Sequence, residues 1–270
     1  MTAPAKRIDS WRGRKYQTPD GQTYDSVTAI LNCTPKPWMG PWAANMEREW
    51  CLTQAEKVFE AYGGKPVSGL SFRMAMKDAL GPRKAFQMSS QKATDIGTML
   101  HERIEWELRS EMGVGGLKEP RIPESTVDAG GQVVQHPAHH AHGEYRAWRR
   151  EHQFRPILLE QMIWSDKYKF AGTMDVFCEY DGKLTVADWK SSKAIYPESA
   201  VQVSSYRQGW IEMGQAEAPL HGLVVRLPKE AGDTFEHKDV PWEWHENAIW
   251  LIRALHYVYE WHQAQEAARG

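Results

Sequence analysis

Residues 169–195, KFAGTMDVFCEYDGKLTVADWKSSKAI, read as two strands joined at Asp181-Gly182. Both turn positions tolerate positive φ and β-rich runs flank them, the signature of a two-residue hairpin. In such a hairpin the numbers of opposed residues have a constant sum. Asp175 therefore falls across from Asp188 and Thr173 across from Lys190, with all four side chains on one face. Opposed Cβ atoms stand roughly 4.5–5.5 Å apart, a separation at which two carboxylates repel and call for a cation. Phe177, Leu184 and Val186 share that face while Val176, Ala187 and Trp189 take the other, so the hairpin reads as buried on both sides. Buried carboxylates are paired, protonated or bound to metal. The competing reading is a pair of solvated residues on a polar face. Two aspartates and a lysine around a hard divalent metal suit phosphodiester chemistry, with Lys190 orienting a water or offsetting charge in a phosphorane-like transition state.

The chain has 270 residues, 41% apolar and 25% charged. That is an ordinary soluble globular composition, and one domain spanning 1–270 is the preferred division. No apolar run approaches the roughly 20 residues of a membrane helix. The N-terminal stretch MTAPAKRIDSWRGRK lacks the apolar centre of a signal peptide. A cytoplasmic protein without membrane contact is expected. Cys33, Cys51 and Cys178 are far apart and form no C-x-x-C pair, so they read as buried thiols. A net charge of −2 does not fit a non-specific DNA coat, whose binding comes from neutralising phosphates. Any DNA contact must be local. The basic groups available are Lys6, Arg7, Arg12, Arg14 and Lys15, then Arg146, Arg149 and Arg150, then Lys190 and Lys193. Each group competes with the reading of a solvated face.

Upstream, residues 15–31 read as a hairpin turning at Asp20-Gly21 and a helix capped by Asp25 or Ser26. The passage holding Pro35, Pro37, Trp38, Pro41, Trp42 and Trp50 enters a helix near Ala43. Its tryptophans are able to stack on unpaired bases, but their near-helical spacing reads as core packing. Residues 63–70, GGKPVSGL, are a loop. From about Arg83 to Ser110, Phe86, Ala93, Ile96, Leu100, Ile104 and Leu108 recur at helical spacing. His101 and Glu105 share a face of that helix, with Cβ atoms roughly 5–6 Å apart.

Residues 111–137 are rich in Gly and Pro and read as an ordered loop or an insertion. His136, His139, His140 and His142 either bind metal, as His-rich tracts can, or begin a polar helix after Pro137. The second reading is preferred, and that helix turns Arg146, Arg149 and Arg150 outward. Residues 156–163, PILLEQMI, form a short strand whose Glu160 is either a group beside the carboxylates or half of a surface ion pair. Pro197 opens a helix with Val203, Tyr206 and Trp210 inward and Gln202, Tyr206 and Gly209 on an adjoining stripe. Residues 221–227, HGLVVRL, are a buried strand returning parallel to the DWK strand after a helical crossover. Residues 235–240 form an edge strand. A last helix, residues 243–268, is expected to cover the sheet with Trp250, Ala254, Tyr257 and Trp261.

Gly172-x-x-Asp175, Asp188-Trp189-Lys190 and Gln202-x-x-x-Tyr206, preceded by Gly97-Thr98-Met99-Leu100-His101-x-x-x-Glu105, form four ordered motifs over residues 97–206. Together they resemble the PD-(D/E)XK nuclease superfamily, in its RecB-like exonuclease branch, and are similar to phage-encoded and mitochondrial genome maintenance exonucleases. Met174 stands where the superfamily name has Pro. The resemblance implies an α/β fold with a restriction-endonuclease-like core over residues 83–270, a central mixed β-sheet flanked by helices, and an N-terminal helical elaboration over residues 1–82.

It also implies a metal-dependent exonuclease acting on linear DNA with free ends, in recombination, repair or DNA processing. One or two Mg²⁺ or Mn²⁺ ions would be held by Asp175, Asp188, the Trp189 carbonyl and His101, with Glu105 and Glu160 as further acidic groups. Asp175, Asp188, Lys190, Gln202 and Tyr206 would carry the chemistry, and Lys193, Arg146, Arg149 and Arg150 would contact DNA. Some members of the branch hold an iron-sulfur cluster on four cysteines, which three cysteines cannot supply. A single-strand annealing or recombination protein is the expected partner, in the host cytoplasm if the chain is phage-encoded. The alternatives are a structure-specific endonuclease and a non-catalytic scaffold that binds DNA ends.

Overall fold

The computed structural model describes residues 5–10, 13–82, 84–128, 131–229 and 233–269. Arg12 and Arg83, which enter the reading above, lie outside them. The chain divides into two compact units, Pro35–Asp95 and the pair of segments Met1–Thr34 and Ile96–Gly270. Helix α4 (Ala85–Glu111) contributes residues to both. Among the described residues no helix is long and apolar enough to cross a membrane.

Pro35–Asp95 is helical. It holds α2 (Met39–Ala61), α3 (Gly69–Leu80) and the first turns of α4. Ser68 caps α3 by accepting the Ser71 amide at 3.1 Å. Trp42 meets Phe86 edge-on, with ring centroids 6.5 Å apart. Trp38, expected in the core, is instead 48% exposed.

The larger unit is α/β, with a mixed sheet in the order β1 (Lys6–Ser10), β2 (Gly13–Gln17), β3 (Thr23–Ser26), β7 (Phe170–Tyr180), β8 (Lys183–Lys190), β9 (His221–Arg226) and β10 (Glu236–Val240). β6 (Phe154–Ser165) also pairs with β7. The hairpin register holds, with Val176 against Ala187 and Tyr180 against Lys183. β9 lies parallel to β8 and β10 is the edge. β1 was not foreseen, because its KRIDS sequence carries little of the β-rich signature. Residues 111–137, expected as a loop, include a separate small hairpin of β4 (Ser125–Val127) and β5 (Val133–Gln135).

Helices cover both faces. On one lie α1 (Val27–Leu31), α6 (Pro197–Glu212) and α7 (His245–Arg269), packed with Met174, Phe177, Val186 and Val224. On the other, α4 and α5 (Pro137–Glu151) pack with Val176, Ala187, Trp189 and Val225. Leu184, assigned to a buried face, is 52% exposed.

α7 is rotated from its expected phase. Ala248, Ile249, Ile252, His256 and Tyr259 face inward, whereas Trp250, Tyr257 and Trp261 are each at least 60% exposed. Both faces of this helix carry apolar residues, and the bulkier stripe is the outer one. α6 sits low on the sheet over Gly172 and Gly222, with its own Gly209 against Trp164. A Cβ on Gly172 would meet the Tyr206 ring at 2.6 Å, and one on Gly222 would meet Val203 at 2.7 Å.

A candidate active site at the end of the central hairpin

β6 and β7 keep one register on both sides of position 175, with Leu159 opposite Val176 and Gln161 opposite Met174. Met174 and Phe177 nevertheless both enter the core under α6, while Val176 enters the core under α4. The two-residue alternation of strand side chains therefore breaks at Asp175. Opposite the break, Glu160 has φ of 49°, a left-handed conformation that costs a non-glycine residue about 1–3 kcal/mol. β7 and β8 stop pairing at Val176 and Ala187. Thr173 consequently does not stand across from Lys190, and its hydroxyl lies 3.2 Å from Tyr16 Oη. The Asp175 carboxylate instead accepts the Trp189 amide at 2.7 Å and lies 3.8 Å from His101 Nδ1.

Asp188 and Lys190 follow on β8, two residues apart, and both face α6. Lys190 Nζ stands 2.6 Å from Asp188 Oδ2 and donates to Gln202 Oε1 at 2.9 Å. The Gln202 amide nitrogen donates to Asp188 Oδ1 at 2.9 Å and to Tyr206 Oη at 2.8 Å. Gln202 thus spends both ends of its amide on orienting neighbours. Gln202 and Tyr206 reach the same point because residues four apart share a helix face, and because Gly172 leaves room for the Tyr206 ring. A second glycine contact seats α4, where a Cβ on Gly97 would stand 2.4 Å from Ser191 Oγ. That brings His101, one turn on, to Asp175.

The site is strongly acidic for its burial. Asp188 is 2% exposed, and its Oδ2, although beside Lys190, receives no well-directed hydrogen bond. Burial raises the Asp175 carboxyl; His101 opposes that shift and Asp188 adds to it. Glu160 keeps solvent access, yet desolvation together with Asp175 and Glu105 pushes its carboxyl up to about 8. Burial, then Asp188 and Asp175, holds the Tyr206 phenol neutral far above its ordinary range.

A carboxyl whose pKa is higher in the folded chain than in the unfolded one binds more protons when folded, so stability falls as pH rises between the two values. In chelator, the contribution of Glu160 to thermal stability should therefore decline from about pH 4.5 to about pH 8, against a rise up to about pH 6.5 from His245, which burial lowers to about 4. Glu160→Gln should flatten that decline, as read by thermal melts across the range. An unchanged slope would remove Glu160 from the acidic cluster.

Glu105 is held by Arg109 at 2.7 Å and points its charge toward Glu160. Lys193 is exposed just past β8, and Arg146 and Arg150 are exposed on α5. Arg149 is not, contrary to expectation. It donates to Glu111 at 2.9 Å and packs over Phe154 at 4.6 Å. The N-terminal basic group is largely neutralised, with Arg7 and Arg14 on Asp9 and Lys15 on Asp25. In the histidine tract, His136 accepts the Ala138 amide at the start of α5 and His142 meets Glu107 at 2.9 Å. Two residues near the site escaped the sequence reading. Ser191 packs on Gly97, and Lys229 Nζ lies beside the same glycine, its pKa lowered by burial. Only the fold brings either to α4.

No protein-family model matches this chain, and neither does any curated protein. Among the described residues, no three acidic, histidine or cysteine side chains stand close enough to form a ready cage for a metal. The chemistry of the donors still fits a hard divalent cation. Asp175, Asp188 and Glu160 offer oxygen ligands, one Asp188 oxygen lacks a well-directed hydrogen bond, burial and neighbouring carboxylates raise the Asp175 and Glu160 carboxyls, and His101 adds a nitrogen.

Proposed function

We propose that this chain is a divalent-metal-dependent deoxyribonuclease with a PD-(D/E)XK core, acting as an exonuclease on linear DNA. The observation that carries the reading is the convergence of Asp188, Lys190, Gln202 and Tyr206 through contacts of 2.6–2.9 Å at the end of β8, with Asp175 joined to the same strand through the Trp189 amide at 2.7 Å. One or two Mg²⁺ or Mn²⁺ ions would be held by Asp175, Asp188, the Trp189 carbonyl and His101, with Glu160 at the margin. Such a bound ion lowers the pKa of its water and offsets charge on the scissile phosphate.

The chain's own groups do the rest. Lys190 presents an ammonium to the attacking water and to the phosphate. Gln202 fixes the Lys190 and Asp188 heads, so that neither reorganises during reaction. Tyr206, neutral and buried, locks Gln202 in turn. An exposed Lys193 past β8 is suited to a backbone phosphate on the approaching strand.

The test is digestion of end-labelled linear duplex, linear single strand and covalently closed circular DNA with Mg²⁺ and with Mn²⁺. Linear substrates should be degraded from their ends while the closed circle survives. Rapid linearisation of the circle would favour the endonuclease alternative. Binding of ends without hydrolysis would favour the scaffold.

A further inference from the structure

We propose that the pocket between the β6–β7 turn and one flank of α7 is a second nucleic-acid site, which holds single-stranded DNA several nucleotides from the reacting phosphate. The cavity measures about 300 Å³ and is lined by Lys167, Tyr168, Lys169, Arg253, His256, Tyr257 and one carboxylate, Glu260. Among the described residues, no carboxylate stands within ion-pair distance of Lys167, Lys169 or Arg253. Three acids nearby have other partners. Asp166 accepts the Tyr24 hydroxyl, Glu212 accepts Ser165 and the Lys167 amide, and Asp25 takes Lys15 and His256. Glu260, 59% exposed, lies 3.9 Å from His256, so one lysine or arginine charge in the pocket is offset and the pocket stays net cationic.

Aromatic rings interleave with these cations. Tyr168 lies parallel to Phe170 and carries Lys167 at 4.9 Å and Arg253 at 5.9 Å. Arg253 also covers Trp250 at 5.0 Å. Along α7, Trp250, Tyr257 and Trp261 continue as an exposed stripe, 60%, 65% and 60% accessible. Unpaired strands are bound by this pairing of a cationic track with rings on which bases stack. A protein partner with an apolar face would have to bury Lys167, Lys169 and Arg253 against a single lining carboxylate, Glu260.

The position supports the same occupant. β8 runs toward the end of the sheet at which β7 begins, so the β6–β7 turn and Lys190 lie at one end. Phe170 precedes Asp175 by five residues, about 17 Å at roughly 3.3 Å per residue, a span that a few nucleotides bridge. That the occupant is DNA rests on the nuclease reading.

The test is fluorescence anisotropy of a labelled twenty-nucleotide oligo-dT in chelator, with sedimentation of each protein alongside. The triple variant Lys167→Ala, Lys169→Ala, Arg253→Ala should lower the slope of log affinity against log salt by about 2, three phosphates at roughly 0.7 each. Trp250→Ala with Tyr257→Ala should weaken binding about tenfold or more per ring and leave that slope unchanged. Both proteins should still degrade linear DNA at saturating substrate. Wild-type protein that cleaves, with both variants binding oligo-dT as tightly as wild type, overturns this site and leaves the nuclease reading standing. Wild-type protein that neither cleaves nor binds removes both. A wild-type dimer lost in the tryptophan-tyrosine variant, with oligo-dT affinity unchanged, reassigns the stripe to self-association and overturns the proposal.

Discussion

Asp188→Asn and Lys190→Met should each lower hydrolysis of linear DNA by about 10³-fold or more, the scale on which loss of one preorganised charged or hydrogen-bonding group acts in a water-poor site. Asparagine keeps the shape of Asp188 and can still accept from Gln202, whose amide now lies 2.9 Å from Oδ1. What disappears is the charge. Methionine similarly keeps the stem of Lys190 and removes the ammonium that stands 2.6 Å from Asp188. The two substitutions differ in stability. Lys190 is partly exposed and can turn to water when its partner is gone, whereas Asp188 is buried. Loss of the lysine alone leaves a buried carboxylate unpaired, which is costly. Lys190→Met should therefore melt at a lower temperature than Asp188→Asn, and the double variant should recover part of the difference. The readouts are release of end label and thermal melts in chelator. Cleavage near the wild-type rate by either single variant would sink the catalytic assignment.

His101→Ala should lose most activity with either metal, and should weaken Mn²⁺ binding measured by calorimetry. Imidazole is a softer donor than carboxylate and suits Mn²⁺ better than Mg²⁺, which prefers oxygen and retains its waters. Mn²⁺ should thus support the wild-type enzyme at least as well as Mg²⁺. His101 Nδ1 lies 3.8 Å from Asp175 Oδ2, near enough for both to meet one ion. The histidine is partly exposed, so its removal should leave the fold intact. Glu105 is already paired with Arg109. Glu105→Gln should cost less, on the order of 10- to 100-fold, as a group acting on a ligand's surroundings does. Unchanged metal affinity and rate in His101→Ala would make the histidine a packing residue of α4.

The parts of this molecule legible in the sequence are those set by local rules. A two-residue turn at Asp181-Gly182 dictates the register of β7 on β8, and that register is observed. Helical spacing likewise delivers Gln202 and Tyr206 to one face of α6. The break of alternation at Asp175 was not legible, because it depends on β6, whose Glu160 leaves the strand region of φ. Nothing in PILLEQMI announces that. The phase of α7 was misread for a different reason. Residues 250, 254, 257 and 261 make as good a helical stripe as 248, 252, 256 and 259, and only packing against the sheet decides between them. Arg149 looked like a surface cation because its partners, Glu111 and Phe154, lie on other elements.

If the chain is the nuclease proposed, the low seat of α6 on Gly172, Gly209 and Gly222 makes helix height a variable of its catalysis. Gln202 touches Lys190 and Asp188 through single hydrogen bonds, and such bonds weaken steeply once stretched beyond about 3.2 Å. Gly222 touches neither aspartate nor lysine, yet its missing methyl helps set how far Gln202 reaches, since Val203 and Arg207 rest against it. Distance from Asp188 and Lys190 is consequently a poor guide to which positions in this chain tolerate change. A methyl group added beneath the helix would act on the Gln202 contacts as a shim does under a lens mount, shifting the focus without touching the glass.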